Sequence, residues 1–266
     1  MKKIFLMLAL VAMAFVSCSE DDELNIENLQ ERMVGKWMLS QLDGVDLPTN
    51  GKIVYTIESP TSGYVSASMV GYSETNPRWT YKAPCNVSVE NNKIIVSGNI
   101  NKTTTFVAEF DIKSFSDTEM LAYVENTTYR NGEPVNVNTG TTMWKRVEED
   151  FSTDILGLWE GRVTSDDGSE FDDGGLHRWE YLADGTYLYY SLDADSNWNS
   201  EVNSFAAYFV DGTLLCTRWK NGGEEVENRE WWEIASIADG VMNWTALRQQ
   251  DDGTTYTATF QMTKVQ

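Results

Sequence analysis

The chain has 266 residues, 41% hydrophobic and 23% charged, enough apolar material for one large domain or two modest ones. Lys and Arg number 20 against 41 Asp and Glu, a formal net charge of −21. That balance excludes attachment to nucleic-acid phosphate or to anionic lipid through basic charge. The single histidine, His177, excludes a His-rich metal centre and leaves room for only one Ser-His or Cys-His dyad.

The chain opens with Lys2 and Lys3, followed by an apolar run of 13 residues from Ile4 to Val16. The run suits the hydrophobic region of a signal peptide and falls short of the ~20 residues a spanning helix needs. It ends Phe15-Val16-Ser17-Cys18, and Ser19-Glu20-Asp21-Asp22-Glu23 follows at once. A small residue before a cysteine resembles the lipobox of bacterial lipoproteins. The acidic cluster after it resembles the export signal of lipoproteins in Bacteroidetes-type bacteria. The resemblance implies cleavage after residue 17, lipidation of Cys18, an acidic tether over 18–32 and a place in the outer membrane, facing the periplasm or the cell surface. Loss of Lys2 and Lys3 deepens the formal charge to −23. The plainer alternatives are a secretory signal with an incidental cysteine and a merely solvated acidic run.

The rest of the chain repeats itself. Val34-Gly35-Lys36-Trp37 returns as Leu156-Gly157-Leu158-Trp159, an offset of 122. At that offset Phe110-Asp111-Ile112…Ser114…Asp117 meets Trp232-Glu233-Ile234…Ser236…Asp239, and Met120 meets Met242. Near the ends, Met143 and Lys145 match Met262 and Lys264 at an offset of 119. These matches define two homologous units, 33–147 and 155–266, joined by an acidic linker over 148–154, where Ser152 or Asp154 would cap a short helical turn. Only residues 24–33 look weakly helical.

Ten Asp-Gly or Asn-Gly pairs separate β-branched and aromatic stretches, the signature of hairpins whose turns need positive φ. The second unit yields about eight strands in roughly 110 residues, enough to close a small antiparallel barrel. A two-residue turn at Asp184-Gly185 collects Trp179, Tyr181, Leu188 and Tyr190 on one apolar face, expected to be the interior. The same construction at Asp211-Gly212 puts Phe205, Ala207, Phe209, Leu214 and Cys216 on one core face, with Arg218 at its end. At Asp239-Gly240 the apolar spacing of Ile234 and Ile237 breaks the period of two, which predicts a bulge or a longer loop. Cys85 and Cys216 fall in different units, so burial as apolar residues competes with a disulfide.

Gly35…Trp37 and Gly157…Trp159 resemble the first-strand motif of lipocalins, whose Trp plugs one barrel end. The aromatic-x-Ile…Ser…Asp…Met block resembles the penultimate hairpin of lipocalin-like domains in Bacteroidetes lipoproteins. The fold class expected is therefore all-β: two tandem small antiparallel lipocalin-like β-barrels behind a lipoprotein signal peptide.

Candidate binding residues are Trp179, Tyr181 and Tyr190, with Trp232 and Trp244, which stand where the first unit has Phe110 and Ala122. Such rings stack on sugars or hold apolar ligands, or they simply fill a small barrel. Asp193, Asp195, Asn197, Asn199 and Glu201 place oxygen side chains at every second position, as calcium loops do, although Trp198 stands where an EF-hand needs Gly. A polar hairpin loop is the alternative. The pairs Asp166-Asp167, Asp172-Asp173 and Glu224-Glu225 are the material for a carboxylate-dependent hydrolase. No nucleophile elbow, phosphate loop or Cys-x-x-Cys occurs. The expectation is a non-enzymatic envelope lipoprotein without a cofactor, held to the membrane by its N-terminal lipid and binding a small apolar or glycan-like ligand. The alternative is an accessory subunit of an outer-membrane complex with filled barrels and an envelope protein as partner.

Overall fold

A computed structural model describes residues 28–47, 52–68, 79–165, 175–193, 195–200, 203–223, 227–249 and 254–265. The expected signal segment, Cys18 and the acidic tether up to residue 27 lie outside the described residues. So do Glu201 and the carboxylate pairs at 166–167, 172–173 and 224–225.

After one helical turn, α1 (Leu29–Arg32), the first unit runs through β1 (Gly35–Leu42), β2 (Val45–Asp46), β3 (Lys52–Ser59), β4 (Ser62–Ser68), β5 (Trp79–Glu90), β6 (Lys93–Asn99), β7 (Thr104–Phe115), β8 (Glu119–Arg130) and β9 (Glu133–Val147). From β3 each strand pairs antiparallel with the next, and β9 returns to β1, which closes an eight-stranded barrel with the short β2 on its rim. Alternation sets the inside: along β7, Thr104, Phe106, Ala108, Phe110 and Ile112 are buried at every second position. The second unit contains β10 (Gly157–Ser165), β11 (His177–Tyr181), β12 (Tyr187–Leu192), β13 (Trp198–Ser200), β14 (Asn203–Asp211), β15 (Leu214–Asn221), β16 (Asn228–Ala238), β17 (Val241–Gln249) and β18 (Thr255–Lys264). Its sheet curls in the order β13-β12-β11-β10-β18-β17-β16-β15-β14. The two ends meet at one bridge, Thr186 to Ala207, beside which the Tyr208 N–H donates to the Gly185 carbonyl at 2.8 Å. Two tandem barrels are thus present, the first fully closed and the second closed at a point.

The repeat has a structural cause. Gly35 and Gly157 sit at φ +134° and +112°, a region closed to most side chains. Each starts the strand that lays the following Trp across its barrel end. The Trp37 indole N–H donates to the Met33 carbonyl at 2.8 Å and that of Trp159 to the Ile155 carbonyl at 2.6 Å. A cation from the last strand covers each ring: Arg146 at 4.4 Å from Trp37 and Lys264 at 5.1 Å from Trp159. Both units also carry the same bulge, after Ile112 in β7 and after Ile234 in β16. The broken apolar spacing was therefore a bulge, and the Asp239-Gly240 turn itself is tight. The final strands align one residue differently from the sequence match. Arg146 pairs with Trp37 as Lys264 pairs with Trp159, so Trp144 corresponds to Met262 at an offset of 118.

Two hairpins differ from the sequence expectation, for one reason. Asp239 and Gly240 both take positive φ, as do Asn131 and Gly132, and both pairs make two-residue turns. At Asp184-Gly185 only the glycine does. There the Asp184 carboxylate accepts the Thr186 N–H, and the loop lengthens until Tyr181 pairs with Tyr187. The register moves by one. Tyr187 and Tyr189 therefore join Trp179 and Tyr181 on the inner face, while Leu188 and Tyr190 turn outward, a correction to the face assigned above. At Asp211-Gly212 the pairing begins at Asp211–Leu214, a shift of two, so Phe205, Ala207, Phe209, Leu214 and Cys216 still share a face. That face is the outside of the second barrel, not its interior.

It is buried because the first barrel covers it. Phe209 meets Trp79 and Tyr81 with ring centres 4.8 and 5.1 Å apart. Beside them the Lys36 ammonium lies 2.5 Å from Asp211 and 3.2 Å from Asp150 of the linker. The linker is docked too: the Phe151 N–H donates to the Gly212 carbonyl, and one helical turn follows, with the Asp150 carboxylate rather than Ser152 or Asp154 capping it. Cys85 and Cys216 are both buried and are not joined in a disulfide.

Candidate functional site

The inner face of the second barrel gathers four of the five aromatic residues proposed from sequence. Trp244 is the hub, with ring centres 5.6 Å from Trp179, 6.1 Å from Tyr181 and 5.9 Å from Trp232. Phe260 completes the cluster, 5.1–5.3 Å from Trp179, Trp232 and Trp244. Tilted and edge-on geometries dominate, the arrangement aromatic quadrupoles favour. Among the described residues the buried Trp244 indole N–H and Tyr181 hydroxyl have no hydrogen-bond partner. Tyr190, the fifth, stands on the outer face, where its hydroxyl donates to Glu180 at 2.9 Å.

A cleft of about 260 Å³ opens on one side of this cluster. Trp179, Tyr187, Tyr189 and Trp219 supply ring surface; Thr217, Asn221 and Glu230 supply polar groups. Tyr187 and Tyr189 enter through the register shift in β12. Trp219 comes from β15, whose inner residues Leu215, Thr217 and Trp219 were hidden by reading the opposite face as core. Glu230 is held by Arg248 at 3.0 Å, and the Arg248 guanidinium lies 4.1 Å above the Trp232 ring. The cleft thus carries a carboxylate fixed by a buried cation, an arrangement that leaves its other lone pairs for donors. Burial, and then the nearby Glu230 charge, push the Tyr187 hydroxyl above the usual phenol range, so it stays a proton donor at neutral pH. His177 stacks on Trp179 and its Nδ1 is 2.8 Å from the Tyr189 hydroxyl, which ties the sole imidazole into the wall.

The other barrel is filled. Tyr55, Phe110 and Trp144 meet at 5.3–5.9 Å across its centre. A small space near Tyr55, Ala67 and Phe106 measures about 60 Å³, and a larger one of about 310 Å³ lies over β3–β6 beside Tyr64, Pro84 and Asn99. Where this barrel has Ala122, the second has Trp244. Even so the second keeps an aromatic-walled cleft on its inner face.

In the Asp193 loop, one carboxylate oxygen accepts the Asp195 and Asn197 N–H groups at 2.9 and 2.8 Å. The other accepts the Asn199 amide at 2.9 Å. These donors hold the Asp193 carboxyl below the usual carboxylate range. Nitrogen donors thus reach both oxygens of the Asp193 carboxylate. Among the described residues no three His, Cys, Asp or Glu side chains gather as a metal site.

No family model and no curated protein matches this chain. Solved structures do, at low similarity. A protein provisionally assigned as AttH from Nitrosomonas europaea matches 90% of this chain and 96% of its own, at 12% identity and a TM-score of 0.27. Transferrin Binding Protein B from Haemophilus parasuis Hp5, a vaccine antigen solved as a Tyr-to-Ala and Trp-to-Ala double mutant, matches 80% of this chain at 11% identity and a TM-score of 0.24. Its single Trp-to-Ala mutant matches 82% at 8% identity and a TM-score of 0.26. This chain spans 53% and 66% of those two chains. Likeness at this level transfers no activity.

Proposed function

We propose that the chain is a non-enzymatic binding module, carried on an envelope lipoprotein through Cys18, whose second barrel takes a small glycan-like ligand. The observation that supports this is the cleft of about 260 Å³ walled by Trp179, Tyr187, Tyr189 and Trp219, with Asn221, Thr217 and the Arg248-held Glu230 at its edge. Aromatic faces match the C–H faces of a sugar ring, while a fixed carboxylate and an amide match its hydroxyls. A purely apolar ligand would leave Glu230 desolvated and unpaired on one side. In this reading the units are 33–147 and 155–266, the acidic tether is 18–32, and lipid rather than basic charge holds the protein to the outer membrane.

The test is a tryptophan-fluorescence titration of the full mature chain against an oligosaccharide panel and a fatty-acid panel. A saturable response to at least one oligosaccharide, lost in Trp219→Ala and weakened tenfold or more in Glu230→Gln, is expected. Absence of any saturable response, or a response to fatty acids alone that Glu230→Gln leaves intact, would overturn it.

A second reading, an accessory subunit acting through its surface, draws on the first barrel. Tyr55, Phe110 and Trp144 meet across that barrel's centre, and Tyr123, Val135 and Val137 stand exposed on the adjoining strands β8 and β9. Co-purification of a stoichiometric envelope protein that Val135→Lys with Val137→Lys abolishes would favour it.

A further inference from the structure

A second cavity, of about 250 Å³, lies between the barrels, room for about eight waters at their liquid volume. The first barrel lines it with Met38, Lys52 and Lys145, the second with Trp231, Glu233 and Leu247. None of these residues belongs to the glycan cleft. Trp231 points outward from β16, away from its inward neighbour Trp232.

Lys52 is out of place by ordinary rules of burial. Its side chain sits on β3 with the residue only 6% exposed, and its ammonium lies 4.9 Å from the centre of the Trp231 ring. Among the described residues it makes no hydrogen bond and no ion pair. Trp231 lines the same cavity, and among the described residues its buried indole N–H has no acceptor. Burial pushes the Lys52 amine below the usual lysine range. Glu233 pulls it back, Lys145 adds to the depression, and Asp46 opposes it. A buried cation without an oxygen partner is destabilising, and a Met or Leu would fill the same space without that cost. Two donors on residues that line one cavity thus have no oxygen acceptor among the described residues.

We propose that this inter-barrel cavity is a second ligand site, where Lys52 and the Trp231 indole N–H bind the carboxylate of a small organic acid whose apolar part lies against Met38 and Leu247. The walls decide the class. Glu233 and Asp46 stand beside the lysines, so a dianion such as phosphate meets repulsion that a monoanion with an apolar stem meets far less. The strongly negative chain as a whole also disfavours multiply charged anions, leaving the local pair of lysines to hold a single negative group.

Hexanoate is the probe, with hexanol and inorganic phosphate as controls, titrated into the full mature chain by calorimetry. The Lys52 Hε–Cε resonance is followed in parallel. Expected are saturable hexanoate binding, a shift of the Lys52 resonance that saturates with it, and affinity at least tenfold weaker in Lys52→Met and in Trp231→Phe. Hexanol and phosphate should bind at least tenfold more weakly than hexanoate. Should Lys52→Met not fold, Lys52→Gln carries the same comparison. No saturable hexanoate binding, a Lys52 resonance unmoved at saturation, or equal affinity in the Lys52 variants would overturn the site. Phosphate binding as tightly as hexanoate would overturn the carboxylate class.

Discussion

Lys36 offers the sharpest test of how the two barrels are joined. Its ammonium sits between Asp211, 1% exposed, and Asp150, 45% exposed. The two halves of the inner pair are not equivalent. Lys36→Met leaves Asp211 a buried carboxylate with no cation in ion-pair contact among the described residues, and one of its oxygens already lacks a partner among them. Breaking a buried pair from that side costs about 3–5 kcal/mol. Asp211→Asn leaves Lys36 paired with Asp150 and lets its ammonium still donate to the amide oxygen, so the loss is about 1–2 kcal/mol. The gap of about 2 kcal/mol is roughly thirtyfold in the unfolding equilibrium. Urea denaturation followed by circular dichroism and by tryptophan fluorescence reads both numbers. Because the pair spans the barrels, Lys36→Met is also expected to split a single transition into two. Equal costs for the two variants, or a Lys36→Met cost under about 1 kcal/mol with one intact transition, would refute the argument.

Trp244→Ala gives the second barrel the residue its sister has as Ala122. With the ring 2% exposed, it should lose about 3–5 kcal/mol in urea; a loss below about 1 kcal/mol would mean the ring is not structural filling. Burial pushes the Cys85 thiol up to about 11 from the usual 9.0. Its thiolate fraction at pH 8 is then about a hundredfold below that of an ordinary thiol. Labelling with a thiol reagent should be correspondingly slow, should quicken as pH rises toward 11, and should become fast on unfolding. Prompt labelling at pH 8 in the native state would contradict the placement of Cys85.

The repeat, the strands and the aromatic hub of the second barrel were legible in the sequence, because each has a local cause. Gly-x-Trp needs a glycine at positive φ, and a bulge announces itself by breaking the period of two at Ile234. What was not legible was long-range. In Tyr187-Leu188-Tyr189-Tyr190 both faces are apolar, so alternation alone could not correct a turn that is one residue longer than assumed. That error moved Tyr190 out and Tyr187 and Tyr189 in. In Trp231-Trp232 two adjacent residues are both buried, which a half-buried strand forbids unless something covers its outside. The adjacency itself was the available signal for an interface, as was the apolar outer face of Phe209, Leu214 and Cys216. Asp211 shows why such signals are easily misread: at a turn it looks solvated, and only the fold brings Lys36 to it.

The pairing of each unit's first strand with its last has a consequence for how such a chain can arise. β1 lies beside β9, and β10 beside β18, so each barrel's entrance and exit emerge together at one rim. A unit with neighbouring ends can be copied in series without rerouting any strand, since a few residues suffice to step from one copy to the next. The seven positions between the barrels here are that step. Within it Asp150 reaches Lys36 of the first barrel and the Phe151 N–H reaches the Gly212 carbonyl of the second, so the connection is also a contact that ties the two barrels together.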